Sequence, residues 1–454
     1  MTEHDRRGFL KALGGLCAAA TGVAAAGAGQ PAGAQPAGGG GAAAGLTAPK
    51  LDTIRWGLIG VGIRGSSHVE QLLRLDSCEV TAICDIRPSA IARTLEIVRK
   101  AARRDPAVIE GQADAYRRLL DRSDVDAVII STPWEDHVPQ AVHTMRAGKH
   151  AFIEVPAAVT IDECWQLVDT AEATRLHCMM LENVCYGRDE LLALHMCRQG
   201  LFGDLTHAEA AYIHDLRWQA KEITEGTGSW RLAHYEKRNG NVYPTHGLGP
   251  VAQYLNVNRG DAFAHLVSMS SPALGYREYA AREFPPDHPR NRAKYVCGDM
   301  NSSLIQTARG RTILVQHDVT TPRPYSRLNL IQGTKGALGG FPTRIAIEGR
   351  TDVHAWQTDM VPWYREFDHP LWRKVGEVAA KAGGHGGMDF VMLWRVVQCL
   401  RDGLPLDQDV YDAASWSVVA PLSEQSVARG GAPVDFPDFT RGAWRSMAPL
   451  GIVS

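Results

Sequence analysis

The stretch Ile54-Arg55-Trp56-Gly57-Leu58-Ile59-Gly60-Val61-Gly62-Ile63-Arg64-Gly65 decides the fold. A short apolar run ends in G-x-G-x-x-G, and beyond it Val69, Leu72 and Leu73 recur on one face at helical period. Each glycine has its own steric task. Gly60 permits the tight turn, Gly62 lets backbone approach a pyrophosphate, and Gly65 lets helix and strand pack closely, with the helix N-terminus facing the anion. In a chain with 45 glycines the spacing alone would carry little weight. A second strand, Val80 to Cys84, ends in Asp85, 20 residues after Gly65. A carboxylate there accepts from both ribose hydroxyls and repels a 2′-phosphate, which favours NAD over NADP.

Farther along, Asp126-Ala127-Val128-Ile129-Ile130-Ser131-Thr132-Pro133 reads as a buried parallel strand. Trp134-Glu135-Asp136-His137 follows at its carboxyl end, where ligands of open α/β sheets bind. A helix from Val138 to Ala147, a strand from His150 to Val155, a helix from Ile161 to Ala173 and a strand from Cys178 to Leu181 close this half near Asn183. The alternation predicts a doubly wound parallel sheet with helices on both faces. Single cores stop growing at roughly 250–300 residues, so the 454 residues call for two domains behind a leader. The divisions expected are a leader and linker over 1–45, a nucleotide domain over 46–183 and a substrate domain over 184–454.

Hydrophobic content of 45%, charged content of 22% and a net charge of −2 exclude disorder, collagen and a membrane bundle. With 48 Lys+Arg against 50 Asp+Glu, no global field draws in nucleic acid, and a small molecule is the expected ligand. Arg6-Arg7-Gly8-Phe9-Leu10-Lys11 before the Ala/Gly run from Ala12 to Gly29 looks like a twin-arginine export signal, with Asp5 in place of the usual hydroxyl residue. The run is too poor in Leu, Ile and Phe to insert as a span, so no span is expected in the mature form. Small-x-small sites stand at Ala26-Gly27-Ala28 and Ala32-Gly33-Ala34. The export machinery is then one partner, and the expected location is periplasmic or secreted. That route carries folded protein, so a cofactor loaded in the cytoplasm can travel with it. Eight cysteines remain after the leader, without C-x-x-C or zinc spacing, and read as small core residues; neither a disulfide framework nor a metal is implied. A homo-oligomer is compatible with all of this.

In the second half the strand Leu205 to Ile213 puts Tyr212 on one face with Ala210 and His214, and Arg217 follows. Such a face suits a polyhydroxylated ligand; the alternative is a sheet edge with solvated aromatics. Trp230-Arg231 could stack on a sugar ring or hold a structural tryptophan. In Tyr243-Pro244-Thr245-His246-Gly247 a fixed φ and a sharp exit frame a phenol and an imidazole, two groups able to exchange protons. The alternative for His246 is a capping or core histidine, and for His137 a neighbour of a helix N-cap. Tyr325, flanked by Pro322 and Pro324, sits in a rigid segment that reaches the pocket or turns on the surface.

The succession of G-x-G-x-x-G, strand-end Asp85, Ser131-Thr132-Pro133 and Glu154-Val155-Pro156 resembles the family of glucose-fructose oxidoreductase and inositol dehydrogenase. That resemblance implies a second α+β domain built on an open, mostly antiparallel sheet. Val155 stands where that family usually has lysine, so a lysine-assisted dehydrogenase mechanism does not carry over. Trp134 to His137, Met180 to Tyr186, His214 to Arg217, Arg238-Asn239-Gly240, Tyr243 to Gly247, Thr321 to Tyr325, Gly386 to Asp389 and Pro437 to Gly442 together look like glycoside hydrolase family 109. These are NAD-dependent enzymes described as α-N-acetylgalactosaminidases. The likeness covers essentially everything after the leader, with C-terminal helices closing the second domain.

By that resemblance His246 and Tyr243 transfer protons, while Tyr212, Arg231, Pro244, Thr245 and Tyr325 place the sugar with them. Gly60, Gly62, Ile63, Arg64, Gly65 and Asp85 hold the nucleotide, Trp134, Glu135, Asp136, His137, Glu154, Val155 and Tyr243 its nicotinamide end, and Asn183 the carboxamide or its ribose. No pair of inward carboxylates of the kind ordinary glycosidases use can be identified in the sequence. NAD offers another route: oxidation at C3 of the sugar acidifies the C2 hydrogen, the C1 group is eliminated, water adds and C3 is reduced again. The net reaction is hydrolysis of an N-acetylhexosaminide. Two alternatives stay open, an NAD-dependent sugar dehydrogenase and a noncatalytic NAD- and sugar-binding protein.

Overall fold

The structure, a computed structural model, describes residue 41 and residues 43–453. The twin-arginine stretch, the Ala/Gly run and both small-x-small sites lie outside the described residues. Of the span read as leader and linker, Ala43 is buried and donates its N–H to the Tyr411 hydroxyl at 3.1 Å.

Ile54, Trp56, Leu58 and Ile59 are all buried, so the first strand has apolar residues on both faces and must be covered on both. That strand, β1 (Ile54–Ile59), joins β2 (Cys78–Asp85), β3 (Ala107–Glu110), β4 (Ala127–Ile130), β5 (His150–Ile153) and β6 (Cys178–Met180) in a sheet of order β3-β2-β1-β4-β5-β6. All its pairs are parallel. The order reverses between β1 and β4, which opens a crevice at their carboxyl ends. Trp56 packs against Phe152 of β5 at 5.3 Å between ring centroids, tying the middle of the sheet together.

Two elements depart from the sequence reading. The edge strand β3, absent from the sequence reading, is the short run Ala107-Val108-Ile109-Glu110 with only Ile109 buried, and its pairing with β2 makes it a strand. The helix expected from Val138 runs over Trp134–Arg146 and contains Pro139. Proline usually marks a boundary because it lacks an N–H, but Glu135 and Asp136 in the first turn favour the earlier start through the helix dipole. Trp134 to His137 therefore stand on a helical turn.

The second sheet contains β7 (Leu205–Ile213), β8 (Phe263–Ser270), β9 (Asn301–Thr307), β10 (Thr312–Asp318), β11 (Leu330–Gly333), β12 (Gly336–Gly339), β13 (Arg344–Ile347) and β14 (Val434–Asp435). Its order is β13-β12-β11-β7-β10-β9-β8-β14, antiparallel except where β7 meets β10, as the resemblance implies. The chain then returns to the nucleotide half: helix Met388–Asp402 packs on helix Ile63–Leu72, and helix Val410–Ser417 on helix Ile161–Thr174. Among the described residues no helix is long and apolar enough to cross a membrane.

Candidate active site

A cavity of about 600 Å³ opens at the switch point of the parallel sheet and is walled by both halves. Its nucleotide side is shaped by the glycine turn. Gly60 has φ +81°, and a Cβ there would lie 2.8 Å from the Ser131 carbonyl oxygen; a Cβ at Gly65 would lie 1.9 Å from the Gly60 oxygen. A Cβ at Gly62 would meet nothing within 4 Å, so backbone is bare toward the cavity. Helix Ile63–Leu72 starts at Gly62 with no side-chain cap and no acidic residue in its first turn, which leaves its positive end open to an anion. The Ser131 hydroxyl, another wall group, is buried without a partner. Asp85 accepts from the N–H groups of Val61 at 2.7 Å and Arg87 at 2.9 Å, and its carboxylate faces the same space. These features fit a dinucleotide.

The Arg64 guanidinium does not lie free. It donates to Glu154 at 3.0 and 2.9 Å and to Asp389 at 3.1 Å, while His68 Nε2 stands 2.6 Å from the same Glu154 oxygen. Asn183 donates to Asp389 at 2.6 Å, and His385 lies 2.8 Å from it. Burial alone would raise the Glu154 carboxyl, but Arg64 and His68 hold it well below the usual range. Asp389, also pushed up by burial, is held down by His385 and Arg64. Arg64, Glu154 and Asn183 thus join a buried ionic net that links the two halves.

On the sugar side, aromatic residues from separate elements converge. Trp134 stacks on Tyr243 at 5.8 Å and meets Trp230 edge-on at 5.2 Å. Arg231 lies over the rings of Trp134 and Tyr243, at 5.1 Å from each, and its Nε is buried with no partner. Such a cation is stabilised by the ring faces and keeps hydrogen-bonding capacity for a polar ligand. Tyr212, on β7, packs 4.7 Å from Tyr243 and 5.3 Å from His246. The Tyr243 hydroxyl is 3.5 Å from His246 Nε2, and His246 Nδ1 is 2.7 Å from Glu182. Burial pushes the Tyr212 phenol up to about 12 against the pull of Arg231, and holds Tyr243 well above the ordinary range against the same guanidinium. Both phenols are therefore protonated near neutral pH and serve as donors.

The remaining expected residues fall at varied distances from this centre. Ile63, Asp136, His137 and Val155 line the cavity. His137 turns its two ring nitrogens to the carbonyls of Pro156 at 2.8 Å and Thr132 at 2.9 Å, bracing the loop after β5. Gly65, Glu135, Pro244, Thr245 and Tyr325 are outside the lining. Glu135 pairs with His234 at 3.1 Å across the halves, and Thr245 is wholly buried. Tyr325 is exposed, edge-on to Tyr212 at 6.4 Å and to His214 at 4.9 Å, its hydroxyl accepting from Arg327 at 2.7 Å. Arg217, read as part of the ligand face, instead donates to Asp215 at 2.9 Å, because β7 ends at Ile213 and the chain turns into a short 3-10 helix. Three partners have no role assigned from sequence: Glu182 and Asp389, which stand in stretches that carry the family resemblance, and His385. A carboxylate just past a parallel strand was the available signal for Glu182.

By fold and site, this is a two-domain protein that sets a dinucleotide against a small polar ligand. Residues 54–182 match the oxidoreductase family with an NAD-binding Rossmann fold, and residues 186–446 match the C-terminal domain of glycosyl hydrolase 109. The chain belongs to glycosyl hydrolase family 109, and is an enzyme with an NAD-binding domain. It is similar to an α-N-acetylgalactosaminidase of Shewanella oneidensis, 60% identical over 457 residues with 100% of each chain covered. A glycosyl hydrolase family 109 protein of Shewanella pealeana is 61% identical over 411 residues, 90% of each chain. A levoglucosan dehydrogenase solved in complex with NADH shares the fold, with a TM-score of 0.65 at 20% identity over 85% of this chain and 99% of that one.

Proposed function

We propose that this enzyme hydrolyses terminal α-N-acetylgalactosaminides by transient oxidation of the sugar, and that it does so after export as a folded, cofactor-loaded protein. The sugar class rests on the relative that is 60% identical over the whole chain. The export rests on Arg6-Arg7 and the apolar run behind them. The observation that carries the chemistry is the meeting of Tyr243 and His246 with Arg231 and Trp134 where the two halves join. The carboxylate that touches His246, Glu182, and the one held by Arg64 and His68, Glu154, are both committed, so neither is free to act as in a two-carboxylate glycosidase.

NAD, when bound, supplies the acceptor and later the donor of hydride at C3 of the sugar. Gly62, the open first turn after it and Asp85 hold the nucleotide in this reading. His246 takes protons through Nε2 and Tyr243 shares them across the 3.5 Å gap, serving the C3 hydroxyl and then the C2 hydrogen. Arg231 and Tyr212 hold the ring and its acetamide. The C1–O bond breaks as the C2–H electron pair forms the C1=C2 bond and the departing oxygen takes a proton; water then adds at C1 and gives up a proton, and a solvent-exchanged proton is delivered to C2.

A substrate deuterated at C2 tests this directly. In ordinary water the released sugar should have lost part of its deuterium, without NADH accumulating in proportion to product. Full retention of the label during efficient hydrolysis would sink the redox cycle, and one NADH per product would make the protein a dehydrogenase.

A further inference from the structure

Glu182 follows Leu181 just past β6 and is wholly buried. Its Oε1 lies 2.7 Å from His246 Nδ1 and accepts from the Val184 N–H at 3.2 Å, while Oε2 is buried with no partner. Among the described residues His246 is its one ion-pair partner. A carboxylate taken out of water without a guanidinium or ammonium carries a desolvation cost of several kcal/mol, so this one is held by the fold for a purpose other than stability. The helix Thr245–Tyr254 that carries His246 packs closely on this carboxylate: a Cβ at Gly249 would stand 3.0 Å from Cys185 Sγ and 3.1 Å from Glu182 Cγ. His246 is the second residue of that helix, where the positive end of the dipole opposes an imidazolium. A carboxylate against Nδ1 offsets that opposition.

We propose that Glu182 is the positioning residue of the His246 base. It accepts the Nδ1–H, which fixes the tautomer whose bare Nε2 faces Tyr243, and it stabilises the imidazolium formed when Nε2 takes a proton. The proton stays on His246 and Glu182 remains a carboxylate throughout. The assignment rests on the reading of His246 as the proton-transfer group.

The test uses the NAD-loaded full-length enzyme. Replacing His246 by Ala should cost about 10²–10⁴-fold in rate, the usual worth of a positioned base. Glu182→Gln should lower kcat by about 10²–10³-fold, with KM within about threefold and NAD retention unchanged, because the carboxylate acts only when the imidazole is charged. In the His246→Ala background the same change should have no further effect, and an equal loss in both backgrounds would overturn the proposal as a merely structural role. The tautomer is read independently of activity by ¹⁵N-histidine NMR of the wild-type protein, with His246 assigned by difference from His246→Ala. A pyridine-type Nε2 and a protonated Nδ1 are expected; a protonated Nε2 and bare Nδ1 overturns the role of Glu182 even if Glu182→Gln fails to fold. Near-normal activity of His246→Ala would instead overturn the reading of His246 itself, and the proposal with it.

Discussion

Two buried carboxylates leave the carboxyl ends of neighbouring strands, Glu154 after β5 and Glu182 after β6, and meet opposite fates. Glu154 receives two bonds from the Arg64 guanidinium and stands against His68. Among the described residues Glu182 has His246 as its one ion-pair partner. A guanidinium never gives up its proton, so the Arg64–Glu154 pair stays fixed at the wall of the cavity that both residues line. An imidazole can take a proton and give it back, so the second can serve a reaction. Asp85, at the end of β2, is a third case: its partners are the backbone N–H groups of Val61 and Arg87, and it keeps acceptor capacity toward the cavity. Strand topology puts a carboxylate at the site; its partner decides what the carboxylate does.

Glu154→Ala leaves the partly buried Arg64 guanidinium with Asp389 as its remaining carboxylate and strips His68 of its acceptor. Breaking a buried pair in this way costs about 3–5 kcal/mol, and urea unfolding should show the midpoint falling accordingly. A loss under about 1 kcal/mol would mean that the net does not tie the halves together.

The nucleotide half was legible because its signals are local. The glycine turn, the apolar strands and Asp85 occupy 32 consecutive positions from Ile54 to Asp85, and sterics within that stretch dictate the geometry. Tyr243 and His246 were legible for the same reason, being three residues apart on one turn. The partners that give them meaning were not. Glu182 reaches His246 across 64 positions, and Arg64 reaches Asp389 across 325. No local period encodes such contacts; they exist because β6 ends under the helix of His246 and the C-terminal helices fold back on the first half. Arg217 shows the converse error, since adjacency to the ligand face in sequence did not survive the turn after β7.

Acid should separate the two kinds of buried group. Burial pushes His150 down to about 4 and His177 to about 3, so below their ordinary 6.5 the unfolded chain takes protons that the folded one refuses. Stability from this source is full above pH 6.5 and declines as pH falls to about 3. Glu154 and Asp389 are depressed from ordinary values of 4.5 and 3.8, so their contribution is full above that range and is lost as pH drops below it. Urea midpoints taken from pH 8 to about pH 3.5 should therefore begin to fall below pH 6.5 and, as a second stage laid on the first, fall more steeply below pH 4.5. Glu154→Gln should remove part of the lower stage and spare the upper one. A single stage in the wild type would contradict this account.

The smallest effect is expected at Asp85. In Asp85→Ala the ribose hydroxyls lose a charged acceptor, a hydrogen-bonding contribution of about 1.5–3 kcal/mol, so NAD should bind about tenfold to a hundredfold more weakly. NADP should lose less or gain, because the same carboxylate repels its 2′-phosphate. The substitution also frees the N–H groups of Val61 and Arg87, so a general loosening of the turn must be told apart from lost recognition. Loosening weakens both nucleotides alike; recognition moves their ratio. Titration calorimetry of the apo protein with each nucleotide reads that ratio, and an unchanged preference would mean that Asp85 braces the glycine turn and does not select the ribose.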